Sequence, residues 1–269
     1  MATIIRRVAA AMERIAPLRL AEKWDNVGVL IESPITRPNA NQVLLTIDIT
    51  TGVCDEALST PTAAIVTYHP TLFRPLASLT LANPLQTSLL RCAAAGVSIF
   101  SPHTSLDSAK NGVNDWLASA FGSQGTTAPI EQKVNEEPGV GIGRLVTLNT
   151  PLPLASIIPL IKSHLGLQYV QVAQASANSI SSIAICAGSG GSVFKDVKAD
   201  LYWTGEMSHH EVLSAVASGT SVILCGHSNT ERGYLTQLKP RLLQELASDN
   251  AEALDVVISE KDRDPLVVA

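Results

Sequence analysis

The chain has 269 residues, of which 46% are hydrophobic and 16% charged, with a formal net charge of −5. That composition supplies a sizeable core, lacks the signature of disorder, and holds no apolar stretch of the roughly 18 residues that a membrane helix needs. The longest basic run is the pair Arg6–Arg7, so binding to a nucleic-acid backbone through a basic stripe is not expected.

Apolar Ile4, Ile5, Val8, Met12 and Ile15 recur at helical spacing and predict a first helix over about residues 3–16, stopped by Pro17. Segment 4–19 also resembles a mitochondrial transit peptide. Its Glu13, and its direct run into AEKWDNVGVLIE, favour a helix of the folded protein. Strands are expected at 27–32 and 42–48, a helix near 51–59, and a strand at 63–67 that ends in Tyr68-His69-Pro70. A helix near 83–95 is capped by Gly96, and the strand 97–100 runs into SPHTSLD. Another helix starts near 112. Residues 122–143 are rich in Gly, Thr, Pro and charge, and read as a linker or a long hairpin.

The pattern then restarts. A helix at 154–165, capped by Gly166, precedes strands at 168–173 and 180–186. A glycine turn and short helix lead to a strand at 200–203 ending in Thr204-Gly205-Glu206. A helix at 208–218, a strand at 221–225 ending in GHSNTE, a helix near 230–247 and a strand at 254–258 complete the chain. Both halves carry a helix, a strand and then three strand–helix units. Such repetition with strand–helix alternation predicts an α/β fold with mixed, mostly parallel sheets in a three-layer arrangement. The expected division is a first α/β repeat at 1–125, a linker at 126–143 and a second α/β repeat at 144–269, with a site between the repeats. The four cysteines, Cys54, Cys92, Cys186 and Cys225, are scattered without a Cys-x-x-Cys. They point to a reducing compartment and no disulfide framework. The expected location is the cytoplasm, with the nucleus and mitochondrion as further compartments.

In α/β sheets, ligands gather beyond the carboxyl ends of strands, and the polar residues cluster there. The first half ends its last strand in His103-Thr-Ser-Leu-Asp107, the second in His227-Ser-Asn-Thr-Glu231. Each is a histidine with a carboxylate four residues on, a spacing that shares a helix face and also converges in a turn that opens a helix. The preceding strand adds His69 in the first half and Glu206 in the second. Imidazole with carboxylate suits Zn, Fe, Mn, Co or Ni, and a carboxylate can bridge two ions. A lone histidine at a strand end is more often a hydrogen-bonded turn residue. Two matched corners with a third histidine are more specific.

Other residues carry two readings each. Trp24-Asp25-Asn26 either lines a pocket or forms a helix N-cap with a buried indole. Glu206 is a general base, a substrate contact or a salt-bridged turn residue. His209 and His210 open a helix beside the site or are merely solvated. Asp48 reads as a turn cap, and His164 as structural or exposed. The run Gly188-Ser-Gly190-Gly191 fits a tight strand-to-helix turn better than a phosphate cradle, because Val193 breaks the dinucleotide fingerprint. There is no Gly-x-Ser-x-Gly elbow to support a serine hydrolase.

At AEKWDNVGVLIE (21–32), LLTIDIT (44–50), TYHPTLF (67–73), SPHTSLDSAKNGVNDWLA (101–118), ADLYWTGEMSHHEVL (199–213) and GHSNTERGYL (226–235), the chain resembles the NGG-interacting-factor-three family, also described as GTP cyclohydrolase 1 type 2-like dinuclear-metal proteins. The matching stretches run in order over nearly the whole chain. The resemblance implies two intertwined repeats, one or two divalent ions per chain, and a homo-oligomer, either a dimer or a hexameric toroid of dimers. It implies His69, Asp107, His227 and Glu231 as ligands, with His103 a pocket histidine. The family's His-His-Pro motif falls on Tyr68-His69-Pro70, where Tyr68 replaces the first histidine as in eukaryotic members. A phenol is a poor neutral ligand, because its pKa lies near 10. Two functions remain open. One is a metal-dependent hydrolase acting on a nucleotide or phosphoester, with His103 and Glu206 moving protons or holding substrate. The other is a non-catalytic metal-binding protein that partners transcription co-regulators.

Overall fold

The structure, a computed structural model, describes residues 3–176, 179–248 and 251–268. Helix α1 (Ile4–Ile15) precedes strands β1 (Gly28–Ile31) and β2 (Gln42–Thr46), helix α2 (Thr51–Ser59), strand β3 (Thr62–Thr67), helix α3 (Pro84–Ala94), strand β4 (Ser98–Ser101) and the short α4 (Thr104–Ser108). There follow α5 (Val113–Ala118), β5 (Gly125–Ala128), β6 (Glu131–Gln132), β7 (Gly141–Ile142), β8 (Arg144–Pro153), α6 (Leu154–Leu165), β9 (Gln171–Ala173), β10 (Ser179–Ser189) and β11 (Leu201–Glu206). Helix α7 (His209–Ala217), β12 (Ser221–Leu224), two 3-10 turns at Ser228–Thr230 and Arg232–Tyr234, α8 (Leu235–Ala247) and β13 (Asp255–Ile258) end the chain.

These elements form two compact units. The first joins Met1–Leu106 to Tyr234–Arg263; the second holds Asp107–Gly233 and Asp264–Ala269. The chain leaves the first unit, builds the second and returns, so the repeats are intertwined.

The first unit carries a sheet of order β1-β4-β3-β2-β13. It is parallel from β4 to β13, with β1 antiparallel on the edge. Both faces are covered. Val53, Cys54 and Ala57 of α2 and Leu89 and Cys92 of α3 pack with Leu44, Ile65 and Ile99 of the strands. Successive strand residues alternate between faces, so Val43, Leu45, Val66 and Phe100, all buried, point the other way. There α1 meets β3 and β4, and α8 meets β2 and β13. Helix α1 buries Ile5, Val8, Met12 and Ile15, each such side chain contributing about 1.5–3 kcal/mol. Asn83 accepts from the backbone N–H of Leu85 and Gln86 at 2.9 and 3.2 Å and so starts α3, with Pro84 in the first turn.

The second unit carries the order β5-β8-β10-β11-β12-β9. Its centre, β10-β11-β12, is parallel, and β8, β5 and β9 add antiparallel flanks. Helix α7 covers one face through a cluster of Ala184, Cys186, Tyr202, Ala215 and Val222. Trp203, fully buried, points to the other face and meets the Phe121 ring at 6.0 Å. The chain is thus an α/β protein with mixed sheets. Strand β8 was not among the sequence expectations: RLVTLNTPLP alternates only at its start, with burial giving way to exposure beyond Leu148. The 122–143 stretch holds β5 and the antiparallel pair β6–β7.

The start of β8 rests on a buried charge. Arg144 is 1% exposed and forms an ion pair with Asp115 of α5. Its guanidinium also donates to the carbonyls of Gly141 at 2.7 Å, Gly143 at 2.6 Å and Gly139 at 3.2 Å. Removing one member of such a network leaves the others buried without partners. Arg144→Met should therefore lower the unfolding free energy by about 3–5 kcal/mol, as measured by urea titration. A loss below about 1 kcal/mol would show that this network does not hold the second unit together.

Candidate metal centre

In the first unit three adjacent parallel strands end at one place, and the pairing runs on past them. Tyr68 N–H donates to Thr46 O at 2.9 Å, His69 N–H to Ile47 O at 3.0 Å, and His103 N–H to Tyr68 O at 3.2 Å. The strand-end residues Asp48, His69 and His103 are thereby brought side by side. His69 Nδ1 donates to Asp48 Oδ1 at 3.0 Å. His103 Nδ1 meets both oxygens of Asp25 at 2.8 and 2.9 Å. The two imidazole centroids lie 5.5 Å apart, and Tyr68, 3% exposed, stands edge-on to both at 5.1 and 5.6 Å.

Asp25 is the anchor of this corner. Its side chain is fully buried, and it also accepts from Thr104 N–H at 3.1 Å and Thr104 Oγ1 at 2.5 Å. Burial alone would raise its carboxyl pKa. The bonds from His103 and Thr104 and the charge of His103 outweigh burial, and the pKa is lowered. His103 itself has a positive φ of 33°, a region that a non-glycine residue occupies at a cost of about 1–3 kcal/mol and that clusters at functional sites.

The second unit repeats the device. The carboxyl ends of β10 and β11 carry Gly188 and Glu206, and His227 follows three residues after the end of β12. His227 Nδ1 donates to Glu206 Oε1 at 2.9 Å, and its Nε2 lies 3.3 Å from Glu231 Oε1. The four-residue spacing closes across a 3-10 turn at Ser228–Thr230, because α8 starts only at Leu235. Thr230 secures the turn, its Oγ1 donating to His227 O at 2.7 Å and accepting from Gly188 N–H at 2.8 Å. Two glycines make the approach possible. A Cβ on Gly205 would fall 2.5 Å from Gly188 O and 2.8 Å from His227 Cα. A Cβ on Gly188, whose φ is +62°, would fall 2.7 Å from Glu231 Oε1 and 2.9 Å from His227 Nε2. His227 with the buried Glu231 is a histidine–carboxylate pair of the kind that can hold a metal ion.

Asp107 shares this neighbourhood. Burial first, then the carboxylates of Asp107, Glu231 and Glu131, push the Cys186 thiol pKa up. Asn114 donates to Asp107 O at 3.1 Å and accepts from Ala187 N–H at 2.9 Å, tying Asp107 to the end of β10.

Of the residues weighed in the sequence, Asp48 is the partner of His69. Asp25 belongs to the corner, while the Trp24 indole is 61% exposed and not buried. Glu206 touches the ring of His227. His209 and His210 are exposed at the start of α7, where Ser208 and Glu211 form a capping box. His164 is half-buried against Trp116, with ring centroids 4.7 Å apart. No spacing rule would have linked Asp25 to His103 across 78 residues.

The structure therefore defines an α/β protein that sets carboxylate-held histidines at the carboxyl ends of parallel strands. It belongs to the Duf34/NIF3 (NGG1p interacting factor 3) family, whose model matches residues 3–265. The chain is 46% identical to the Protein NIF3 homolog of Schizosaccharomyces pombe, covering 98% of each chain. It is 32% identical to the human NIF3-like protein 1, covering 98% of this chain and 92% of that one. The crystal structure of a Bacillus cereus protein related to NIF3 superposes with a TM-score of 0.84 over 98% of each chain, at 18% identity, and shares the fold. No helix among the described residues is long and apolar enough to cross a membrane.

Because the Asp25 carboxyl pKa is lowered in the folded state, its contribution to stability is complete above the unfolded value of about 3.9. It is lost as pH falls through the lowered value. Asp25→Asn should be clearly less stable than the native chain at pH 7, and the gap should close below that range. Urea midpoints for both proteins from pH 7 down to the acid limit would check this; a gap that does not change with pH would refute it.

Proposed function

We propose that His69, Asp107, His227 and Glu231 hold a divalent transition-metal ion, and that the protein is a metal-dependent hydrolase acting on a nucleotide or phosphoester. The observation that carries this reading is the common arrangement of the histidines: a carboxylate faces Nδ1 of His69 and of His227, a support that favours ligation through Nε2. His227 Nε2 and Glu231 Oε1, 3.3 Å apart, are one histidine–carboxylate pair that supports such a site. Two imidazoles with carboxylates suit zinc, iron, manganese, cobalt or nickel, and Gly188 keeps a side chain out of the space beside the His227 and Glu231 donor atoms.

When bound, such an ion lowers the pKa of a coordinated water and stabilises charge developing on a phosphoryl or ring centre. The chain's own groups do the rest. Asp48 and Glu206 orient His69 and His227. His103, its Nδ1 held by Asp25, can accept or release a proton at Nε2 beside the reacting group. The buried Asp25 stabilises the imidazolium that forms when that proton is taken. Glu206 is thereby a positioning residue in this reading.

A second reading has one observation in its favour. Tyr68 occupies the position where the family resemblance expects a histidine, and its buried ring packs on His69 and His103. A protein with a reduced ligand set would use the metal for structure or sensing. One relative is named NGG1-interacting factor 3, in Saccharomyces cerevisiae, which supports a partner among transcription co-regulators.

Elemental analysis of the chain purified without added metal or chelator separates the readings. About one or two equivalents of a transition metal are expected, falling at least about tenfold in Asp107→Ala and in Gly188→Ala, in line with losses at metal-site positions. A phosphoester and nucleotide screen follows from that result. Metal-free protein that stays empty after reconstitution would remove the hydrolase and leave the interaction protein.

A further inference from the structure

Two large aromatic side chains of the first unit stand in solvent beside His103. Trp24 is 61% exposed and Phe73 48% exposed. Their ring centroids are 5.9 Å apart, and each lies close to the His103 ring, at 6.1 and 6.2 Å. Single exposed aromatics are ordinary, but these two are held in place by polar contacts on neighbouring residues. Asp25, next to Trp24, is locked to His103 and Thr104. Glu22 N–H donates to Thr104 Oγ1 at 2.9 Å, and Asp25 N–H to Glu22 O at 3.0 Å. Asn26 reaches across to donate to Leu72 O at 2.6 Å, joining the Trp24 turn to the Phe73 segment. Part-buried hydrogen bonds, with the exposed one from Asn26, thus hold two apolar rings in water, as a binding surface would require.

We propose that Trp24 and Phe73 form a stacking platform for a planar heteroaromatic ring carrying an anionic group. This deepens the hydrolase reading by naming the part of the substrate that lies beside His103. A flat ring gains from the faces of indole and phenyl in offset or edge-on contact. An aliphatic ligand would gain burial but not that geometry. His103 Nδ1 belongs to Asp25, so Nε2 is the nitrogen left to meet a polar atom on the edge of the ring. Lys23 and Arg74, both exposed, adjoin Trp24 and Phe73 in sequence, which is the ground for an anionic group on the ligand.

The test is a titration of the full chain, both as purified and after chelator treatment, with adenosine 5′-monophosphate and with ribose 5-phosphate, which lacks the ring. Calorimetry gives the affinity, and the change in tryptophan emission reports contact with Trp24. The nucleotide should bind more tightly than ribose 5-phosphate with or without metal. Trp24→Leu and Phe73→Leu should each weaken it by about fivefold or more, while Trp24→Phe retains most of it. Both side chains are largely exposed, so an unchanged melting temperature confirms that the variants fold. Equal affinity for the two ligands, or nucleotide affinity unchanged in both leucine variants, overturns the platform. So does a change of oligomeric state in those variants with unchanged nucleotide affinity, which would assign the rings to contact between copies of the chain. Ring-dependent binding by the metal-free chain is independent of metal content, so the platform and the metal centre can fail separately.

Discussion

An imidazole has two nitrogens, and the protein commits one of them in advance. At His69, His103 and His227 the Nδ1 atom faces a carboxylate at 2.8–3.0 Å. That single choice orients each ring through its Nδ1 bond. It also explains why carboxylates outnumber what a ligand set alone would need. Asp25, Asp48 and Glu206 each face the Nδ1 atom of a histidine, and Glu231 lies beside Nε2 of His227. The three supports differ in depth. Asp25 is fully buried, Asp48 is 43% exposed and Glu206 58% exposed. The least hydrated pair is thus Asp25–His103, where the interaction is least screened by solvent.

These pairs depend on how the parallel strands end. In each unit three neighbouring strands stop at the same level, and hydrogen bonds beyond their ends carry the chain a further residue or two before it turns. The second unit brings its turns together by removing side chains, at Gly188 and Gly205. The first instead accepts a positive φ at His103, whose N–H remains bonded to Tyr68 O. Both are local costs met by well-packed sheets below, which bury Leu44, Ile65 and Ile99 in one unit and Ala184, Cys186 and Val222 in the other.

Much of this was legible in the sequence, and the limits have physical causes. Helices α1, α2 and α6 fall where apolar spacing, Pro17 and Gly166 put them. The strand ends at Tyr68-His69, SPHTSLD and GHSNTE announce themselves by polar residues directly after apolar runs. Local pattern did not reveal β8, whose outer half lies exposed, nor the late start of α8, because the 3-10 turns at 228–234 share the short-range spacing of a helix. It also gave no means of assigning β13 to the sheet that holds β2, since a short apolar strand carries no mark of its neighbour. Asp48 looked like a turn cap for the same reason. A carboxylate after a strand fits many turns, and only the register of β2 beside β3 brings it to His69.

Tyr68 bears on how the two corners divide their work. An imidazole at that position would add a nitrogen donor next to His69. The Tyr68 phenol adds an aromatic edge there instead. Its ring, almost fully buried, fills the space between His69 and His103 and holds them 5.5 Å apart. The substitution exchanges a possible ligand for rigidity in the first unit. In the second, His227 and Glu231 keep donor atoms of both kinds within 3.3 Å of each other. Imidazole and carboxylate donor atoms thus meet in the second unit, while in the first the pinned His103 adjoins Trp24 and Phe73.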